Sequence, residues 1–158
     1  MSLHSEDAGL VLRKYGDSLM KIAYTYTHNM EDAQDAVQDT LLRYMQKAPA
    51  FESDEHEKAW LIRVTINICK NYLSSAYRRN CAELDENLKF YDSYSSGLWE
   101  AVNSLEPKYR IVIHLFYYEG YSQKEIARII KLTESAVSTR LARGRSLLKT
   151  RLGDDFFD

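Results

Sequence analysis

Ser122-Gln123-Lys124-Glu125-Ile126-Ala127-Arg128-Ile129-Ile130-Lys131-Leu132-Thr133-Glu134-Ser135-Ala136-Val137-Ser138-Thr139-Arg140-Leu141-Ala142-Arg143 is the stretch that decides the fold. Ser122 and Glu125 have the spacing of a capping box, in which hydroxyl and carboxylate satisfy free backbone amides at a helix start. The spacing therefore predicts a helix from about Gln123, with Ile126, Ala127 and Ile130 on its buried stripe. Lys131-Leu132-Thr133 breaks it, and Thr133 caps a second helix from Glu134 onward. Val137, Leu141 and Leu148 face inward on that second helix, and small Ala127 lets the two helices cross closely. A short helix, a tight turn and a longer helix form a helix-turn-helix, whose second helix fits the DNA major groove. Ser135, Ser138, Thr139, Ala142 and Arg143 lie on the outward side, while Arg140, Arg145, Lys149 and Arg151 are placed for phosphates. The competing reading is two packed bundle helices with incidental basic residues.

Charge distribution agrees with the first reading. Residues 1–80 carry ten basic and eleven acidic side chains, 81–107 one and six, 108–152 ten and three, and 153–158 none and three. The overall net charge of -2 thus hides a basic C-terminal unit behind an acidic connector. That asymmetry points to a polyanion partner for one end of the chain, against the alternative of a solvated basic face.

Working outward, Leu12, Tyr15, Leu19, Ile22, Ala23 and Tyr26 recur at helical spacing until His28 and Asn29. Ala33, Ala36, Val37, Thr40, Leu41, Tyr44 and Met45 mark a second helix, which Pro49 ends. A third runs from about Glu55 to Arg79. On it Trp60, Leu61, Val64, Ile68 and Tyr72 form one apolar stripe and Ile62, Ile66, Cys69 and Leu73 another, which predicts burial on two sides. Arg63, Asn67, Lys70, Asn71, Ser74 and Arg78 make its polar, basic face. A short helix near Leu98 to Leu105 stops before Pro107, which opens a helix running to Tyr118 or Glu119. Gly120 then supplies the positive φ common at a helix end.

The expected fold class is all-α: two small helical domains, 8–80 and 98–152, joined by an acidic flexible linker, 81–97. Within that linker Tyr91 and Tyr94 could dock on a partner. A chain of 158 residues with 45% hydrophobic residues, six Gly and two Pro suits this class better than a turn-rich sandwich or a disordered chain. Cys69 and Cys81 are too few for a disulfide framework, and His4, His28, His56 and His114 form no ligand-spaced cluster, so two reduced thiols, no metal and no cofactor are expected. The N-terminus lacks the pattern of a secretion signal and no apolar run is long enough to span a bilayer, which predicts a cytoplasmic protein without membrane insertion. Phosphate-binding glycine loops and nucleophile motifs are missing too, so no enzymatic activity is expected.

Three segments, taken together, resemble a known family. Met30-Glu31-Asp32-Ala33-Gln34-Asp35-Ala36-Val37-Gln38-Asp39-Thr40 is similar to sigma region 2.2. Trp60-Leu61-Ile62-Arg63-Val64-Thr65-Ile66-Asn67 is similar to regions 2.3 to 2.4. The stretch from Leu105-Glu106-Pro107-Lys108-Tyr109-Arg110 through Glu125-Ile126-Ala127 to Val137-Ser138-Thr139-Arg140-Leu141 is similar to region 4. In this order they resemble a bacterial RNA polymerase sigma factor of the extracytoplasmic-function group, over about residues 8–152.

That resemblance implies a factor that binds core RNA polymerase, through its beta-prime and beta subunits, and directs promoter-specific initiation. It implies promoter DNA and an anti-sigma factor as further partners. Asp32, Asp35, Gln38, Asp39 and Arg43 would face the polymerase. Arg63, Asn67, Lys70, Asn71 and Arg78 would meet the −10 element, where a flipped base costs a few kcal/mol to unstack. Thr133, Ser135, Ser138, Thr139, Arg140, Ala142, Arg143, Arg145 and Lys149 would meet the −35 element. Trp60 is read as packing in the core rather than stacking on a base. Two departures stand out: the loop Phe51-Glu52-Ser53-Asp54-Glu55-His56-Glu57 is acidic, and Lys131 occupies a turn position where the family usually has Gly. The alternatives are a stand-alone helix-turn-helix regulator with a helical sensing or dimerisation domain, and a helical interaction protein with no nucleic-acid role.

Overall fold

The computed structural model describes residues 5–76 and 96–152; Arg78, Arg79, Cys81 and most of the expected linker, with Tyr91 and Tyr94, lie outside them. Among the described residues there are seven α-helices and no strand. They fall into two compact units.

The first unit holds α1 (Ser5–Thr27), α2 (Met30–Lys47) and α3 (Asp54–Ala76). On α1, Val11, Tyr15, Leu19, Ile22, Ala23 and Tyr26 are buried at steps of three and four, as a helix packed on one side requires. Leu12, expected on that stripe, is 48% exposed, and Val11 takes the inward position instead. His28, with φ of 52°, turns the chain, and Asn29 accepts the Asp32 amide at 3.0 Å to cap α2. Ala48 is extended ahead of Pro49, so α2 stops where the pyrrolidine ring disfavours helical backbone.

The third helix differs from expectation. Leu61, Ile62, Thr65, Ile66, Ile68 and Cys69 are buried, but Trp60, Val64, Tyr72 and Leu73 are only half-buried. One side of α3 packs on α1 and α2, and the shoulders stay at the rim, because two neighbouring helices cover one arc rather than two. At the centre of this unit the Thr40 and Thr65 hydroxyls lie 2.9 Å apart, fully buried between α2 and α3.

The second unit holds α4 (Ser96–Asn103), α5 (Pro107–Ile113), α6 (Gln123–Ile130) and α7 (Glu134–Leu152). The short first helix ends at Asn103, two residues before the expected limit. Buried Arg110 donates to the carbonyls of Asn103 (3.2 Å) and Leu105 (2.7 Å), satisfying oxygens that the helix end leaves without partners. The run from Pro107 reaches Tyr118 as expected, but its last five residues, His114–Tyr118, wind as a π-helical turn. Gly120, at φ of 78°, completes the stop.

On α6 the buried positions are Ile126, Ala127 and Ile129, with Ile130 half-buried at the helix end in place of the expected inward role. Lys131 adopts φ of 57°, the left-handed turn its position demands. On α7, Val137, Leu141, Gly144 and Leu148 are buried. Gly144 allows a close crossing, since a Cβ there would lie 3.2 Å from two Ile113 side-chain carbons on α5.

Candidate nucleic-acid interface and docking face

The helix-turn-helix is held by two caps, one of them reciprocal. The Ser122 amide donates to Glu125 Oε1 (2.9 Å) and the Glu125 amide to Ser122 Oγ (3.1 Å), so both halves of the capping box are formed. The Ala136 amide donates to Thr133 Oγ1 at 3.1 Å, which starts α7. Glu125 sits below its ordinary pKa because the Ser122 backbone amide, then its hydroxyl, stabilises the carboxylate.

With the inward side of α7 buried, Ser135, Ser138, Thr139, Ala142, Arg143 and Lys149 are exposed together, and Arg140 and Arg145 are half-exposed at the edges of the buried stripe. Two of these side chains are already engaged. Thr139 Oγ1 donates to the Ser135 carbonyl (2.9 Å), leaving its oxygen free to accept only, and Arg145 donates to the Tyr117 hydroxyl (3.1 Å). Thr133 spends one lone pair on its cap. Sequence reasoning missed Lys124, Arg128 and Lys131, which are exposed on α6 and its turn and add to the same basic unit. Their signal was available, as cations beside a capped helix start.

In the first unit Asp35, Gln38 and Arg43 are exposed on α2, and Asp32 and Asp39 are half-buried. Leu42, unremarked in the sequence, is 49% exposed among them, an apolar residue on an otherwise polar face. On α3, Asn67, Lys70 and Asn71 are exposed and Arg63 is half-buried. The expected faces are not fully separate: Asp39 and Arg43 of α2 share a groove of about 240 Å³ with Ile68, Asn71 and Tyr72 of α3. Across it the Tyr72 hydroxyl donates to Asp39 Oδ2 at 3.1 Å.

The acidic loop is bound into its own unit. Ser53 Oγ accepts the His56 amide (3.1 Å), capping the start of α3, and His56 Nδ1 accepts the amide of Glu52 (3.2 Å), the residue before that cap. Asp54 pairs with Lys14 at 2.8 Å, and Glu57 Oε2 accepts the Tyr44 hydroxyl at 2.8 Å. Asp54 and Glu57 are therefore compensated locally, and the acids of the first turn favour the α3 N-terminus. Phe51 stacks near Tyr44 and meets Trp60 edge-on, with centroids 6.2 and 5.7 Å apart. Trp60 thus belongs to an aromatic cluster at the rim of the core.

Burial, then Asp32, pushes the Cys69 thiol up to about 12, so it is a packing residue rather than a nucleophile. Among the described residues no His, Cys, Asp and Glu cluster could hold a metal ion, and no helix is long and apolar enough to cross a membrane.

Comparison with known proteins gives a family match to each unit. Residues 11–79 match Sigma-70 region 2, and residues 96–148 match Sigma-70, region 4. The chain is 28% identical over 148 residues to ECF RNA polymerase sigma factor SigM of Mycobacterium tuberculosis, covering 90% of this chain and 76% of that protein. It is 26% identical over 138 residues to RNA polymerase sigma factor SigV of Bacillus subtilis, covering 84% and 82% respectively. Its fold is similar to the sigma factor RpoE of Bartonella quintana, solved with the anti-sigma factor NepR. That match has a TM-score of 0.73 and 23% identity, over 98% of this chain and 99% of that one.

Proposed function

This chain belongs to the sigma-70 family, in its extracytoplasmic-function group, and on that premise we propose how its residues divide the work of a sigma factor. Its function is to bind core RNA polymerase and direct promoter-specific initiation. Residues 8–80 serve as region 2, 98–152 as region 4, and 81–97 as the linker between them. An anti-sigma factor, the kind of partner the Bartonella relative was solved with, completes the partner set. The protein acts in the cytoplasm and is not an enzyme, RNA synthesis being the work of the polymerase.

The observation that carries the residue assignments is the doubly capped helix-turn-helix with Ser135, Ser138, Thr139 and Arg143 exposed along one side of α7. A helix enters the major groove by one end while its later turns approach the backbone. Ser135, Ser138, Thr139, Ala142 and Arg143 therefore read the −35 bases, and Thr133, Arg140, Arg145 and Lys149 hold phosphates. Arg63, Asn67, Lys70, Asn71 and Arg78 engage the opened −10 strand. Asp32, Asp35, Gln38, Asp39 and Arg43 face the beta-prime subunit, helped by charge complementarity.

Reconstituted transcription tests the reading. Purified protein plus core polymerase should yield promoter-dependent transcripts from genomic fragments, and Asp35→Ala/Gln38→Ala/Asp39→Ala should weaken core binding while the folding transition stays in place. Footprinting by the protein alone, without any promoter-dependent transcript, would replace the sigma assignment with a self-sufficient regulator.

A further inference from the structure

Tyr72 is one of the apolar-stripe positions of α3, yet its ring is only half-buried and its hydroxyl reaches 33 residues back along the chain to Asp39 on α2. The phenol is a dependable donor: burial first, then the bond to Asp39, pushes it up to about 12, and the Asp39, Asp35 and Asp32 carboxylates add to the shift. Tyr72 therefore faces the acidic edge of α2, not the interior alone.

The contact lies at the rim of the α2–α3 packing, whose centre is already held by Thr40, Thr65, Ala36 and Ile66, all buried to 1% exposure or less. Holding the helices together does not need it. What a hydroxyl on one carboxylate oxygen does is select a rotamer of Asp39 on a surface where that side chain would otherwise sample several. Arg43, one turn further along α2, lies exposed on the same groove and makes no ion pair among the described residues, so it does not do this for Asp39.

We infer that Tyr72 is a positioning residue for polymerase docking: its hydroxyl presets the Asp39 carboxylate in the groove of about 240 Å³ between α2 and α3, so that the docking face extends onto α3. This rests on the assignment of Asp39 to the polymerase-facing surface. Presetting one side chain removes part of the ordering cost of association, which corresponds to roughly a three- to tenfold gain in affinity.

The experiment titrates the labelled full-length protein with purified core RNA polymerase and follows thermal unfolding in parallel. Tyr72→Phe should raise Kd about three- to tenfold with an unchanged unfolding midpoint. Asp39→Ala should raise it at least as much, and Tyr72→Phe/Asp39→Ala no further than Asp39→Ala alone. If Asp39→Ala weakens binding and Tyr72→Phe does not, the positioning role is overturned while the docking face stands. A lowered unfolding midpoint with unchanged Kd would likewise make Tyr72 structural only. An unchanged Kd for Asp39→Ala would overturn the docking assignment of Asp39 and this role with it.

Discussion

The Thr40–Thr65 pair gives a sharp test of how the first unit is held together. Both residues are fully buried; the hydroxyls are 2.9 Å apart, Thr40 Oγ1 is 2.8 Å from the Ala36 carbonyl, and Thr65 Oγ1 is 2.8 Å from the Leu61 carbonyl. Two protons serve three contacts, so the hydroxyls share them. Thr40→Val keeps the shape and removes one hydroxyl, but Thr65 still donates to Leu61, so no buried donor is orphaned. The cost should be that of one buried hydrogen bond, about 1 kcal/mol, rather than the larger penalty of an unsatisfied group. Thr65→Val should behave alike. With both hydroxyls gone nothing is left to satisfy, and the double variant should cost little more than either single one, a coupling of about 1 kcal/mol. Urea unfolding in a Trp99→Phe background, where Trp60 alone reports this unit, would measure it. Thermal midpoints of the single variants should fall by roughly 4–8 °C, the shift about 1 kcal/mol makes in a domain of this size. Additive costs within about 0.3 kcal/mol would refute the shared-proton account.

Arg143→Ala should change preference at one or two −35 positions, at about 1–3 kcal/mol of discrimination, because among Ser135, Ser138, Thr139, Ala142 and Arg143 on the outward side of α7 it is the long side chain able to form a bidentate contact; a randomised −35 selection returning parental preferences would refute this. Lys149→Ala should instead weaken duplex binding evenly and lower the salt slope by about 1, read from binding isotherms across salt concentrations. Lys131→Gly should raise the unfolding midpoint of the second unit slightly: relief of the left-handed backbone at φ of 57° is worth about 1 kcal/mol and glycine's extra unfolded entropy returns part of it, so a lowered midpoint would contradict the strain argument. Glu125 has a folded pKa below its ordinary value of 4.5, so its capping contribution is complete above that value and is lost as pH falls through the lower one. Acid unfolding followed by circular dichroism should show that loss in the parent and not in Glu125→Gln.

Much of the second unit was legible from residues close together in the chain. Caps act over three residues: Ser122 with Glu125, and Thr133 with the Ala136 amide, so the start of each helix is a local event that sequence alone determines. Helical periodicity likewise placed Val137, Leu141 and Leu148 inward and Ser135, Ser138, Thr139 and Arg143 outward on α7. Lys131 and Gly120 were readable as positive-φ turns for the same local reason. The family resemblance came from three such segments in order.

Only the tertiary structure decided the rest. Periodicity gives a side chain's angle about its own helix axis and says nothing of which neighbour covers that angle. Hence Leu12 proved exposed, α3 buried one arc instead of two, and Ile129 took the place expected for Ile130. Gly144 looks like an ordinary helix interruption until Ile113 of α5 is seen against it. The acids Asp54 and Glu57 read as a charged loop, yet their partners Lys14 and Tyr44 lie on α1 and α2. Asp39 and Tyr72 were assigned separately, to a polar face and an apolar stripe, and meet because α2 and α3 pack side by side. Helix formation is governed by interactions within one turn, whereas these pairings join residues far apart in the chain and exist only once the helices have packed.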